Sequence, residues 1–162
     1  MLRALVIVLA VMFGAAVSYA ALIVIGIRTK AGPLLTAIRR INRAFWNPRA
    51  MRTAGNPGAS ASIVRHVGRT SGRTYQTPVV AVPSEDGFVV ALPYADQADW
   101  YRNVLARGSA TIVHEGAEHE VDAPEVIAME DAVPPFTERQ ARNHLRGGVD
   151  RCLRLHLVTA AR

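Results

Sequence analysis

Between Ala4 and Ile27 no charged side chain interrupts a run dominated by Leu, Val, Ile, Ala, Met and Phe. Arg3 brackets it on one side, Arg28 and Lys30 on the other. As a helix its roughly 24 residues reach about 36 Å, enough to cross a hydrocarbon core of about 30 Å with some tilt. The pattern predicts a membrane anchor. The rival reading is a cleaved signal peptide with Ser18-Tyr19-Ala20 as its site, but the apolar run continues through Leu22-Ile23-Val24-Ile25 and only Arg3 precedes it. A buried core helix is disfavoured because a domain this small cannot surround so long an apolar cylinder.

Beyond the run the periodicity changes twice. From Pro33 to Trp46 apolar Leu34, Ile38, Ile41 and Phe45 fall on one helical stripe with the arginines mostly off it. Pro33 suits a first turn and Pro48 a stop. That stripe can lie in the membrane interface with Trp46 as an anchor, or pack against the rest of the chain. Gly55 to Ser60 is a linker by its density of breakers.

Short alternating segments follow, at Ser62 to Val67, Tyr75 to Val82, Phe88 to Leu92, Ala110 to His114, Glu118 to Ile127 and Cys152 to Val158. Asp86-Gly87 and Glu115-Gly116 mark hairpins. One helix is expected from Gln97 to Arg107, with Asp96 as cap and Gly108 as stop, and a polar one from Phe136 to Leu145, ended by Gly147-Gly148. Five to seven short strands with two small helices predict an α+β chain folded as a compact antiparallel barrel. The alternation puts Cys152 on the polar side of its strand.

Charge sharpens the division. The chain carries 19 basic and 13 acidic side chains, yet no Asp or Glu precedes Glu85. Removing residues 1–53 takes away eight basic groups and leaves 11 basic against 13 acidic, so the basic balance belongs to the flank of the anchor. A nucleic-acid partner would need that charge on the folded domain and is not expected. The flank suits anionic lipid headgroups, and the positive-inside tendency puts the soluble part in the cytoplasm.

The single cysteine, Cys152, excludes an internal disulfide and a cysteine metal cluster. The five histidines are scattered, so no metal site is expected; they read as structural or solvent-facing, with His66 alone placed to meet a ligand. Nucleophile elbow, His-Glu-x-x-His, Walker loop and Gly-x-Gly-x-x-Gly are absent from the sequence.

The chemistry concentrates in two segments. Gly68-Arg69-Thr70-Ser71-Gly72-Arg73 is a Gly-bounded turn whose backbone N–H groups, hydroxyls and guanidinium forks suit a phosphate. It leads into Thr74-Tyr75-Gln76-Thr77-Pro78-Val79, and some twenty residues later comes Ala98-Asp99-Trp100-Tyr101-Arg102-Asn103. Taken alone the turn reads equally as a solvated hairpin.

Together the two segments resemble the deazaflavin-dependent nitroreductase and quinone reductase family, split β-barrel (FMN-binding-like) oxidoreductases that bind coenzyme F-420. The patterning read above divides off a transmembrane anchor over 1–28 and a basic amphipathic helix and linker over 29–61; the resemblance, which runs from about Ser62 to Ile127, implies a split barrel over residues 62–162. It implies that Arg69, Thr70, Ser71, Gly72 and Arg73 hold the phosphate and acidic tail of the cofactor. Thr77, Pro78 and Val79 would form the strand under the ring, Ala91, Leu92, Pro93 and Tyr94 the other side, and Trp100 and Asn103 the closure. Trp100 and Tyr101 read equally as the core side of a helix.

The chain departs from its relatives at Tyr94, where some carry Lys, and at the C-terminus, where others have tyrosines over the substrate pocket. Here Phe136 is the only aromatic residue after Tyr101 other than histidine, so Phe136, Leu145 and Leu153 are the expected roof. The resemblance implies a reductase that moves a hydride from reduced deazaflavin to a small electrophile such as a quinone or nitro compound, and the apolar anchor makes it a membrane-tethered one. Tyr94 is the side-chain hydroxyl offered for the proton. The alternatives are a non-catalytic carrier of the cofactor and a barrel of the same shape using FMN. A homodimer is compatible with either.

Overall fold

A computed structural model describes residues 1–94 and 97–158. Helix α1 (Leu2–Thr29) carries the uncharged run and ends where Lys30 turns left-handed, at φ 51°. Helix α2 (Gly32–Ile41) starts with Pro33 in its first turn. It runs into a π-helical turn (Asn42–Trp46) and then α3 (Asn47–Ala50).

Pro48 therefore does not stop the helix. A proline ring inside a helix lacks its N–H and collides with the carbonyl four residues back; the wider turn before it lets the chain continue. The buried face is shorter than the stripe. Leu35 and Ile38 are sealed, whereas Ile41, Phe45 and Trp46 stand exposed.

Seven strands follow: β1 (Ser62–Val67), β2 (Thr74–Val79), β3 (Ala81–Ser84), β4 (Gly87–Ala91), β5 (Ser109–His114), β6 (Ala117–Ala128) and β7 (Arg151–Leu157). Helix α4 (Asp99–Arg107) precedes β5; a 3-10 turn (Glu130–Ala132) and α5 (Glu138–Arg146) lie between β6 and β7. The sheet order is β2-β1-β5-β6-β7-β4-β3, with every neighbouring pair antiparallel. Its two terminal strands, β2 and β3, are consecutive in the chain and separated only by Val80. One bent strand thus supplies both edges, and the sheet rolls up as a split β-barrel without leaving a long free edge.

The turns follow the local chemistry. Glu115 and Gly116, both at positive φ, make the two-residue link between β5 and β6 that the strand twist favours. Gly108 caps α4 at φ 77°. Ala98 occupies the N-cap position of α4, and Asp96, the expected cap, lies outside the described residues. Thr137 and Gln140 form a reciprocal capping box at the start of α5.

Two apolar clusters divide the interior. Val64, Phe88, Val90, Val104, Ile112, Val121, Leu153 and Leu155 fill the barrel. Val89, Ile127, Met129, Phe136, Ala141 and Cys152 fill the layer between the outer face of the sheet and α5. The alternation of β7 does put Cys152 opposite Leu153 and Leu155, but that face is covered rather than polar. Cys152 is fully buried, and burial pushes its thiol up to about 11.

The end of α1 is fastened to this second layer. Ile27 packs against it, Lys30 pairs with Asp150 at 2.7 Å, and Gly148 passes Arg28 so closely that a Cβ there would lie 2.8 Å from the Arg28 Cα. Gly26 gives α2 the same close approach, its missing Cβ falling 3.0 Å from Ile38 Cδ1.

Candidate functional site

Alternation along β1 turns Ser62, Val64 and His66 to one side. Val64 joins the core; His66, two residues on, reaches the barrel mouth beneath the Gly68–Arg73 turn. The turn closes on itself through Gly68 N–H to Arg73 O and Gly72 N–H to Gly68 O, each 2.8 Å. Gly72 takes φ +66°, a conformation L side chains resist. At Gly68 a Cβ would lie 2.4 Å from Ser71 Oγ and 2.7 Å from the Tyr75 ring, so only glycine lets the turn fold this tightly.

Asn103, buried on α4, ties the turn to the strand. Its Oδ1 accepts from the Arg69 backbone N–H at 3.1 Å and from Arg69 Nη1 at 2.9 Å. Both donors fix the amide orientation, so Nδ2 donates to His66 Nδ1 at 3.0 Å. The proton of a neutral His66 then sits on Nε2 and is donated to Thr77 Oγ1 at 3.2 Å. Burial lowers the His66 pKa, opposed by the nearby Asp99 carboxylate, and the neutral ring suits this chain of bonds. Thr77, having accepted from His66, keeps its own O–H free to donate.

Two cavities open here and meet. The larger, about 710 Å³, is lined by Arg69, Thr70, Ser71, Tyr75, Gln76, Thr77 and His66 on one side. Arg39, Asn42, Arg43, Asn47 and Met51, from α2 to just beyond α3, form the other. Among its described lining residues three arginines face one carboxylate, Asp99. The smaller cavity, about 300 Å³, is apolar: Val79, Val80, Val90, Ala91, Leu92 and Pro93 line it, with Phe136, His144 and Val149. Pro78, Tyr94, Ala98 and Trp100 border both.

Tyr94 at this junction accepts from Asn42 Nδ2, while Asn42 Oδ1 accepts from Tyr19 of α1 at 2.9 Å. Its phenol keeps its proton, because burial pushes its pKa above the ordinary value. Arg39 is held by the backbone carbonyl of Gln97.

Of the residues expected from sequence, Arg69, Thr70, Ser71 and Thr77 border the polar cavity, and Val79, Ala91, Leu92 and Pro93 the apolar one. Gly72, Arg73 and Asn103 border neither; Asn103 lies under the turn as its brace. The expected roof differs. Phe136 is there, but Leu145 packs in the outer layer and Leu153 in the barrel core, and His144 with Val149 completes the wall.

The wall from α2 and α3 had no signature beyond its run of unbalanced arginines. His144 had one that was overlooked. It follows Ala141 by three residues, and that spacing puts both on the inner face of α5.

This donor set fits a long, acidic, phosphate-bearing cofactor with a flat ring. Guanidinium groups and a tight turn serve the anionic tail, and the lining shared by the two cavities, with Pro78 and Trp100, serves the ring.

Among the comparisons with known proteins, the family model agrees with that reading. Among curated proteins none matches the chain. The solved structures it resembles include HutZ, the heme storage protein from Vibrio cholerae, 12% identical, covering 62% of this chain and 83% of that one at a TM-score of 0.43. Another is Atu2129 from Agrobacterium tumefaciens str. C58, of unknown function, 17% identical at a TM-score of 0.43, covering 68% of this chain and 55% of that one. A family model described as F420H(2)-dependent quinone reductase matches residues 39–146, from the arginine wall in α2 to the last residue of α5. The chain belongs to the F420H(2)-dependent quinone reductase family.

Proposed function

We propose that this protein is a membrane-tethered oxidoreductase that moves a hydride from reduced coenzyme F-420 to a quinone. The observation that carries the reading is the pair of cavities, one basic and one apolar, joined at Pro78, Tyr94, Ala98 and Trp100. Arg39, Arg43, Arg69 and the Gly68–Arg73 turn would hold the acidic tail, with the ring at the junction. The chemistry the cofactor supplies when bound is the hydride; the protein orients it and excludes water. The apolar cavity beyond the junction, at about 300 Å³, is the size and polarity for the flat ring of the acceptor. FMN, with a single phosphate and no acidic tail beyond it, would use less of a three-arginine cavity.

Membrane tethering rests on lengths. The 28 residues of α1 extend about 42 Å, roughly 12 Å more than a hydrocarbon core, so about eight residues would project. Tyr19 would then lie near the boundary, and its partner Asn42 belongs to the turn on which Phe45 and Trp46 stand 59% and 54% exposed. Aromatic rings among arginines are the side chains an anionic headgroup region accepts. The site mouth would therefore sit at the bilayer surface, beside a lipid-soluble acceptor. The acid-free flank after α1 favours the cytoplasmic side.

The test is a titration of the full chain in lipid nanodiscs with coenzyme F-420 and with FMN, followed by oxidation of the reduced deazaflavin with menadione as acceptor. Deazaflavin binding with menadione-dependent oxidation above the protein-free rate is expected. Binding without turnover would identify a carrier, and FMN binding alone the flavin enzyme.

A further inference from the structure

His144 is the polar side chain of the apolar cavity that the reading above leaves without a role. The capping box at Thr137 starts α5, and two turns on His144 meets the cavity beside Phe136 and Val149. Its ring is set edge-on to Phe136, with centroids 5.3 Å apart at 72°. Its backbone carbonyl accepts from Val149 N–H at 2.9 Å, which fixes the loop behind it. Among the described residues neither ring nitrogen has a hydrogen-bond partner. A half-exposed ring on the wall of an apolar cavity, its nitrogens unpaired among the described residues, leaves a donor available to a polar ligand.

We propose that the His144 ring N–H binds a carbonyl oxygen of the acceptor and is a catalytic residue of the reduction, stabilising the negative charge that forms on that oxygen. The inference rests on the quinone reductase reading. A quinone becomes a hydroquinone by taking up one hydride, which carries both electrons, and one proton. The C–H bond of the reduced deazaflavin breaks as the new bond to hydrogen forms on the quinone. The electron pair leaves a negative charge on a quinone oxygen, and a proton from water then neutralises it. A donor already aimed at that oxygen needs no reorganisation as the charge appears.

His144 suits this role as a neutral donor. Burial holds its pKa below the ordinary value, so at neutral pH the ring carries one N–H and no charge. Tyr94, its phenol protonated, offers a second donor where the two cavities meet.

The experiment compares the parent with His144→Phe, His144→Leu and His144→Gln, as full chains in nanodiscs, with menadione and reduced coenzyme F-420. Turnover is read as kcat and KM, and cofactor affinity by fluorescence. The Phe and Leu variants should lose about a hundredfold in kcat, as removal of one such donor does elsewhere, with cofactor affinity unchanged. The Gln variant, whose amide retains an N–H, should recover most of the rate, which repair of packing alone would not produce. Parent-like kcat in the Phe or Leu variant, or a Gln variant as slow as they are, overturns the role of His144 alone. A parent that binds the cofactor and reduces no quinone overturns the functional reading, and the inference with it.

Discussion

Asn103 Oδ1 holds Arg69 at both its backbone and its guanidinium, so the aim of the principal cation of the turn is set by α4. A charge-assisted hydrogen bond to an anion is worth about 1.5 to 3 kcal/mol. Arg69→Ala should therefore weaken coenzyme F-420 binding about ten- to a hundredfold without unfolding the chain. Ser71→Ala should do less, since its hydroxyl also meets Tyr75 at 3.1 Å. Titration by cofactor fluorescence checks both, and parent-like affinity in the two would leave the turn without a ligand role. The neighbouring aromatics divide differently. Trp100 borders both cavities, whereas Tyr101 is sealed in the barrel core. Trp100→Ala should lower turnover while preserving the melting temperature. Tyr101→Ala should cost about 3 kcal/mol of stability. The sequence offered core or site for Trp100 and core for Tyr101, because neighbours on a helix differ by about 100° in direction and only the packing partners decide which faces inward.

Among the elements, the strands were the most legible, since alternation and two-residue turns are local signals. The hairpin at Glu115-Gly116 came from two residues, and the register of β7 from alternation. What alternation could not show was the second layer over Cys152, because covering a face is a long-range event. The segment from Arg39 to Met51 was the largest loss. Its stripe of Leu34, Ile38, Ile41 and Phe45 assumed one buried face, but Ile41 at the end of α2 and Phe45 and Trp46 on the π-helical turn stand exposed. The polar wall of the larger cavity was consequently invisible in the sequence. The apolar α1 raises a prediction of its own. A fluorescent reporter fused to the C-terminus should light up in the cytoplasm and sediment with membranes that resist carbonate extraction. A soluble, exported, N-terminally trimmed product would instead mark α1 as a signal sequence.

At the scale of the molecule, the two cavities bring together groups from α2, the π-helical turn, β1, β2, α4 and α5, so the site exists only when the barrel has closed and α2 has docked. Stability and site are thereby coupled through buried His66 and partly buried His144. His66 and His144 both have pKa values lowered by burial. Above about pH 6.5 they are neutral in the folded and the unfolded chain, and their full contribution to stability is present. As pH falls below that value the unfolded chain takes up protons that the folded chain refuses, so stability is lost down to the folded pKa values. Asp86 and Asp150, with pKa values lowered by hydrogen bonds from Ser84 and Lys30, act in the same direction at lower pH. Both are largely exposed and should count for little. The expected result is a thermal midpoint that declines between pH 7 and pH 5, mostly through His66, with the more exposed His144 counting for less. His66→Gln should flatten that slope while starting from a lower midpoint, because it breaks the bonds to Asn103 and Thr77. Calorimetry of the full chain across this range decides it, and a midpoint independent of pH would mean that neither ring is held neutral by the fold.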